Sequence, residues 1–585
     1  MKHPLFLGLL LLSIPQIGTA QHKLPPVWSN EVTQFDSRTT AYLSPKRILW
    51  QNIPEGAEIT GATYLLKNGK GQAELANTNL CHIKNGKTGK VSLLFDFGKE
   101  IQGGIQIVTG LSATHNVRIH ICFGESVSEA MSEIDGKNGA GNDHAMRDFE
   151  LPLPWLGVLN YGNTGFRFVR IDVLGEDTDL LLKEVRATFT YSDIPYMGSF
   201  KCNDNKLNQI WMTGAYTVHL NMQNYIWDGI KRDRLVWIGD IFPEVKTVST
   251  VFGYNECIPK SLDFSRDLYP IPQWMNGFSS YSIWWLLSQE QWYMVTGKLD
   301  YLKKQHSYII SLLDLLMAKI DDNGKENLDG QRFLDWPSSE NTQGVNAGLQ
   351  ALMVLAMQTG ERLCNYLNEP VMVQKCRVAA KKLTQYVPDC NNSKQAAALM
   401  ALAGTMKAKE ANDRYITVGN AKGFSTFYGY YMLEAMAKAG NYKGAIDIIK
   451  QYWGAMIDLG ATTFWEDFDI DWLQNAGRID ELPEEGKVDI HKTYGKYCYQ
   501  GYRHSLCHGW ASGPTTWLSE HILGIKVLKP GCKEVLIEPH LGNLKWVKGT
   551  YPTPYGVIAI EHHLDSKGKI VSNIKAPKEI KIIRK

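Results

Sequence analysis

From about Gly198 to about Leu523 the apolar residues of this chain recur at helical spacing, and outside that stretch they do not. Leu302, Ile309, Leu313, Leu316 and Ile320 follow one another three, four or seven positions apart, which is the stripe of a helix packed on one face. Asn391-Asn392-Ser393 supplies a capping residue before the Ala-rich run Ala396 to Ala403. Roughly twelve helical stretches fit into residues 198–523, which suits either six hairpins or a stacked solenoid. On the N-terminal side, Val91 to Phe97, Gly104 to Val108, Val117 to Phe123 and Phe166 to Val173 are short strand-like runs. Gly103-Gly104 and Gly139-Ala140-Gly141 are expected to turn the chain between them. On the C-terminal side, Glu534 to Glu538, Val557 to Glu561 and Ile580 to Ile583 alternate or run apolar. A chain of 585 residues exceeds one hydrophobic core. The expected organisation is a β region at 21–197, a helical domain at 198–523 and a small β domain at 524–585.

Residues 1–20 carry a secretory pattern: Lys2 and His3, the apolar run Leu5 to Leu12, then Gly18-Thr19-Ala20 before Gln21. The expected location is therefore outside the cell or in a periplasm. No stretch of the remaining chain is long and apolar enough to span a bilayer. Lys plus Arg number 62 and Asp plus Glu number 60, so charge makes no case for nucleic acid or an anionic membrane. The ten cysteines are scattered without tight spacing, which favours mainly free, buried thiols over disulfides.

The densest chemistry lies in Asp228-Gly229-Ile230-Lys231-Arg232-Asp233-Arg234-Leu235-Val236-Trp237-Ile238-Gly239-Asp240. Carboxylates and guanidiniums mixed with an indole suit a cleft that grips hydroxyl groups and covers the apolar face of a ring. The plainer reading of Asp228, Arg232 and Asp240 is a structural ion-pair network. A second acidic segment is Thr462-Thr463-Phe464-Trp465-Glu466-Asp467-Phe468, where flanking aromatics can raise a carboxyl pKa. Asp335-Trp336 and the run His504 to Pro514 complete the candidates. Trp336 alone would pass for core. His504 and His508, with Cys507 between them, have a superficial metal spacing, but no third ligand cluster accompanies them, and no metal or cofactor is expected. Two acids from distant segments, meeting across a bond, are what glycoside hydrolysis requires.

The Asp228–Asp240 run, the Trp465-Glu466 pair and the His508-Gly509-Trp510-Ala511-Ser512-Gly513 run together closely resemble the inverting α-L-rhamnosidases, glycoside hydrolase family 78. Weaker matches extend along the chain: Phe95-Asp96-Phe97-Gly98, Phe166-Arg167-Phe168-Val169-Arg170, and Gly549-Thr550 with Thr553-Pro554. The resemblance implies an (α/α)6 toroid flanked by antiparallel β-sandwiches. It implies an oligosaccharide or glycoside with terminal rhamnose as substrate. Asp228, Arg232 and Asp240 would hold hydroxyls of the terminal sugar, and Asp335 would lie in the same site. Trp237 and Trp336 would line its apolar face, and His508 would bind a hydroxyl near the reacting carbon. Glu466 would be the general base and Asp233 the general acid. At that acid position the family usually has Glu, so the carboxyl here falls roughly one carbon–carbon step, about 1.5 Å, short. That departure leaves open a sugar-binding protein with impaired catalysis, or a related toroid enzyme acting on another linkage.

Overall fold

The computed structural model describes residues 24–28, 35–134, 141–142, 146–495 and 500–585. The signal-like segment 1–20, Gly139-Ala140 and Cys498 lie outside them. Residues 1–37 form a unit of their own, in which one helical turn, Pro26–Trp28, is described. Residues 38–585 form the other unit.

Nine strands between Thr39 and Tyr191 join into one continuous sheet, and every pairing in it is antiparallel. Its centre is the 19-residue strand Val91–Thr109, which runs between Asp179–Tyr191 and Val158–Leu174. Two short strands separated by a glycine turn were expected here. The glycines instead sit inside the strand. A Cβ on Gly103, whose φ is 152°, would stand 1.8 Å from the Thr188 carbonyl oxygen. The register to Val158–Leu174 slips at the same place. The glycines thus admit a close approach and a bulge rather than a reversal. Alternate residues such as Leu93, Phe95, Ile105, Ile119, Phe166 and Ile171 are buried together as the core of this sheet.

The helical region has a simple circuit. Ile241–Val251, Ser279–Thr296, Thr342–Tyr366, Lys394–Ala403, Gly429–Lys438 and Gly513–Trp517 touch in succession, and the last touches the first. The helices between them in sequence, among them Cys257–Leu268, His306–Met317, Pro370–Leu383 and Tyr442–Asp458, connect one member to the next. The expected cap is present: Ser393 Oγ accepts the Ala396 N–H at 3.1 Å and opens Lys394–Ala403. The nine described cysteines are free and buried.

Two further features differ from the sequence expectation. The first element after Gly198 is a strand, Ser199–Cys202, which forms the edge of the C-terminal sheet beside Trp546–Thr553. The C-terminal pairings are not all antiparallel, because Glu534–Ile537 and Lys581–Arg584 run parallel. The intervening strands Trp546–Thr553, Gly556–Leu564 and Ile570–Lys575 provide the long connection that a parallel pair needs. The N-terminal sheet is tied to the helical region by Arg167. It bonds both oxygens of Asp96, at 2.9 and 3.1 Å, and donates to the Gly460 carbonyl at 3.1 Å.

A Cβ on Gly549 would lie 2.1 Å from the Ser199 carbonyl oxygen, backbone against backbone. Gly549→Ala should therefore pry the edge strand away and lower the melting temperature by several degrees. An unchanged melting curve would show that the strand pairing contributes nothing.

Candidate active site

The run Asp228–Asp240 turns back on itself before the helix Ile241–Val251. Asp228 closes that turn: its carboxylate accepts the Leu235 N–H at 2.9 Å and the Asp233 N–H at 3.1 Å. Gly229 forms an isolated bridge with His508, and the Gly509 N–H donates to the Asp228 carbonyl at 2.8 Å. A Cβ on Gly229 would meet the Arg232 carbonyl at 2.7 Å and that of Cys507 at 3.0 Å, so only glycine lets these two segments close.

Arg232 is the hub. Its guanidinium donates to Glu466 Oε2 and to the Arg503 carbonyl, and stands 3.3 Å from Asp233 Oδ1. One buried cation thereby bridges two carboxylates supplied by segments far apart in sequence. Asp233 Oδ2 accepts the Trp237 indole N–H at 3.2 Å. Glu466 Oε2 also accepts the Ser505 N–H at 3.1 Å. Trp465 plays no part in this. It is buried edge-on against Phe468, and what Glu466 meets is Arg232.

Asp240 accepts from the Tyr281 hydroxyl at 3.1 Å and lies 3.2 Å from His508 Nε2. Burial pushes the Asp240 carboxyl up to about 6, with His508 opposing. Burial also holds His508 below its ordinary value. Asp228, Trp237, Asp240, Trp336, Glu466 and His508 line one cavity of about 30 Å³. Phe278, Tyr281 and Trp510 complete its walls. Asp233 is not among the lining residues. A second cavity shares Trp336, Glu466 and Trp510 and adds Asp335 and Asp467. Asp335 is pinned there: its oxygens accept from Ser338 N at 3.0 Å, Gln395 at 3.1 Å and Ser425 at 2.6 Å. Burial raises the Asp335 carboxyl despite these donors.

Sequence reasoning passed over several wall residues. Trp510 and Asp467 lie inside runs that had been singled out, but no local signal separates them from core. Phe278 and Tyr281 have no signal at all, because they reach the cavity from the start of the helix Ser279–Thr296. His504 and His508 take different partners: His504 Nε2 accepts the Asp467 N–H at 2.8 Å, whereas His508 pairs with Asp240.

Residues 195–522 match the family model described as the bacterial alpha-L-rhamnosidase six-hairpin glycosidase domain. The chain belongs to this family. Residues 524–582 match the bacterial alpha-L-rhamnosidase C-terminal domain. Among curated proteins, an alpha-L-rhamnosidase from Alteromonas sp. (strain LOR) is 25% identical over 542 residues. That match covers 83% of this chain, which spans about half, 54%, of the relative's length. Among solved structures, a family 78 rhamnosidase from Bacillus sp. GL1 superposes with a TM-score of 0.72 at 22% identity, covering 90% of this chain and 55% of that one. A rhamnosidase from Klebsiella oxytoca, solved with rhamnose bound, gives 0.66 at 17% identity, covering 83% and 96%. These likenesses establish the family's fold, six helical hairpins with β-sheet regions at both ends.

Asp467 bears on stability. Burial, reinforced by the charges of Glu466, Asp335 and Asp469, pushes its carboxyl up to about 7. Its folded value lies above the unfolded one, so between about pH 4 and 7 the native state binds more protons than the unfolded chain. Stability contributed by this group is therefore present at low pH and lost as pH rises through 7. Asp467→Asn should flatten the fall in melting temperature between pH 5 and 8. An identical slope in the variant would remove Asp467 from the pH response.

Proposed function

We propose that this chain is an exo-acting glycosidase that hydrolyses terminal α-L-rhamnosides with inversion of configuration. The observation that carries the reading is Arg232 bridging Asp233 and Glu466, which lies 234 residues from it. The two contacts are unequal. Glu466 also takes the Ser505 N–H, which helps to fix the orientation of the proposed base. Asp233 stands 3.3 Å from the guanidinium and also takes the Trp237 indole N–H at 3.2 Å. In the proposed reaction Asp233 gives its proton to the glycosidic oxygen as the bond from that oxygen to the anomeric carbon breaks. Glu466 takes a proton from the water whose oxygen bonds to the same carbon from the opposite face. A guanidinium standing between the two acids fits the wider spacing of inverting enzymes, which leaves room for that water.

The terminal sugar would sit among Asp228, Asp240, His508, Trp237 and Trp336. The cavity there holds about 30 Å³, room for water but not for a sugar ring. Trp237 and Trp336 are its half-buried walls, and admitting a ring would require wall residues such as these to move. The closed circuit of six inner helices supports the (α/α)6 toroid within residues 198–523, between β regions at 21–197 and 524–585, the second of them joined by the strand Ser199–Cys202. The N-terminal pattern supports a secreted or periplasmic enzyme. No helix among the described residues is long and apolar enough to cross a membrane.

Glu466→Gln keeps shape and removes the base. Turnover of an aryl α-L-rhamnoside should fall by roughly 10²–10⁴ with sugar affinity retained. Near-normal turnover would sink the assignment. Proton NMR of the first-formed sugar should show inversion, and retention would reverse the mechanism. For the acid, an activated aryl leaving group needs little protonation and a sugar alkoxide needs nearly all of it. Asp233→Asn should therefore damage cleavage of a rhamnosyl-sugar far more than that of a dinitrophenyl rhamnoside. Equal losses would mean that Asp233 binds rather than protonates. No cleavage of either by the wild type would leave a sugar-binding protein on the same fold.

A further inference from the structure

We propose that Glu125, carried by the N-terminal β region, is a positioning residue of the active site: through Lys231 and the backbone of residues 502–506 it fixes Arg232 against Glu466. The inference rests on the roles proposed above for those two residues.

Lys231, the neighbour of Arg232, is buried, and its ammonium is fully cradled. It lies 3.0 Å from Glu125 Oε2 and 3.3 Å from Glu129 Oε1. It donates to the carbonyls of Tyr502 and His504, at 2.7 Å each. Glu125 Oε2 also accepts the Leu506 N–H at 2.6 Å, and Glu129 accepts the Glu125 N–H at 2.8 Å. The carbonyl between those of Tyr502 and His504 belongs to Arg503, and Arg232 Nε donates to it. The N–H between His504 and Leu506 belongs to Ser505, and it donates to Glu466. Five consecutive residues thus alternate. Residues 502, 504 and 506 serve Lys231 and Glu125, whereas 503 and 505 serve Arg232 and Glu466. Moving one face of this strap moves the other.

The same corner has the makings of a metal site, since ligand atoms of Glu125, Glu129 and His491 lie within 4.8 Å of one another. The Lys231 ammonium takes the cation's place there. His491 is committed elsewhere, bonding Ser126 Oγ at 2.7 Å and the His504 carbonyl at 3.0 Å. That last bond gives the β region a second hold on the strap, because Ser126 follows Glu125. The β region therefore supplies charge that sets the geometry of the catalytic pair.

Glu125→Gln in the full chain tests this. It keeps the acceptor for Leu506 and removes the charge facing Lys231. On a 4-nitrophenyl α-L-rhamnoside, kcat should fall about 10- to 100-fold, the loss that a displacement of about 1 Å produces. KM should stay within roughly threefold and the melting temperature within a few degrees, because Glu129 still pairs the lysine. Glu125→Asp, which restores charge, should recover part of kcat. Wild-type kcat in Glu125→Gln overturns the proposal, and so does a kcat loss that merely follows a collapse in melting temperature. If Glu125→Gln does not fold, Lys231→Gln is judged by the same criteria. If the wild type cleaves no aryl rhamnoside, the proposed activity falls on its own, and a crystal structure of Glu125→Gln decides the inference. A displaced Arg232–Glu466 contact upholds it, and an unmoved one overturns it.

Discussion

Two adjacent cations, Lys231 and Arg232, are both buried, each about 2% exposed or less. Taking either out of water costs several kcal/mol unless every donor finds an acceptor. Four carboxylates meet them: Glu125 and Glu129 on one, Asp233 and Glu466 on the other. The carbonyls of residues 502–504 take remaining donors. These partners come from the N-terminal sheet region, the run after Asp228, the segment around Glu466 and the stretch before His508. The site therefore forms only where those four segments meet. The cost of leaving either cation unmatched is what makes alternative packings of the same segments expensive.

Much of this organisation was legible in sequence, for reasons that can be named. Helical periodicity survives in any helix packed on one face, so the switch near Gly198 marked the helical region, and Ser393 marked a real cap. The charged run was legible as a candidate site because its chemistry is contiguous, with Asp228, Arg232, Asp233 and Asp240 inside thirteen positions. Contacts to main-chain groups were not legible. The partners of Lys231 and Arg232 at 502–504 are carbonyls, which every residue type carries, so no side-chain pattern announces them. Nor could spacing show that Ser199–Cys202 belongs to a sheet built mostly after Trp546, or that Lys581–Arg584 returns parallel to Glu534–Ile537. Gly103 misled for a related reason. A glycine needed for close approach inside a strand and one needed for a turn look alike until the neighbouring strand is in place.

The shorter acid at Asp233 draws these points together. Its two oxygens are held by Arg232 and by the Trp237 indole, and its N–H by Asp228. With both side-chain oxygens and the backbone N–H engaged, Asp233 does not stretch to make good the missing methylene, so in the proposed reaction the leaving oxygen has to come to it. Trp237, which donates to Asp233, is also a wall of the cavity proposed for the sugar. Any movement of that indole to admit a ring therefore changes the hold on the acid at the same moment. Seating the sugar and positioning Asp233 are thus coupled, in the proposed reaction, through one side chain.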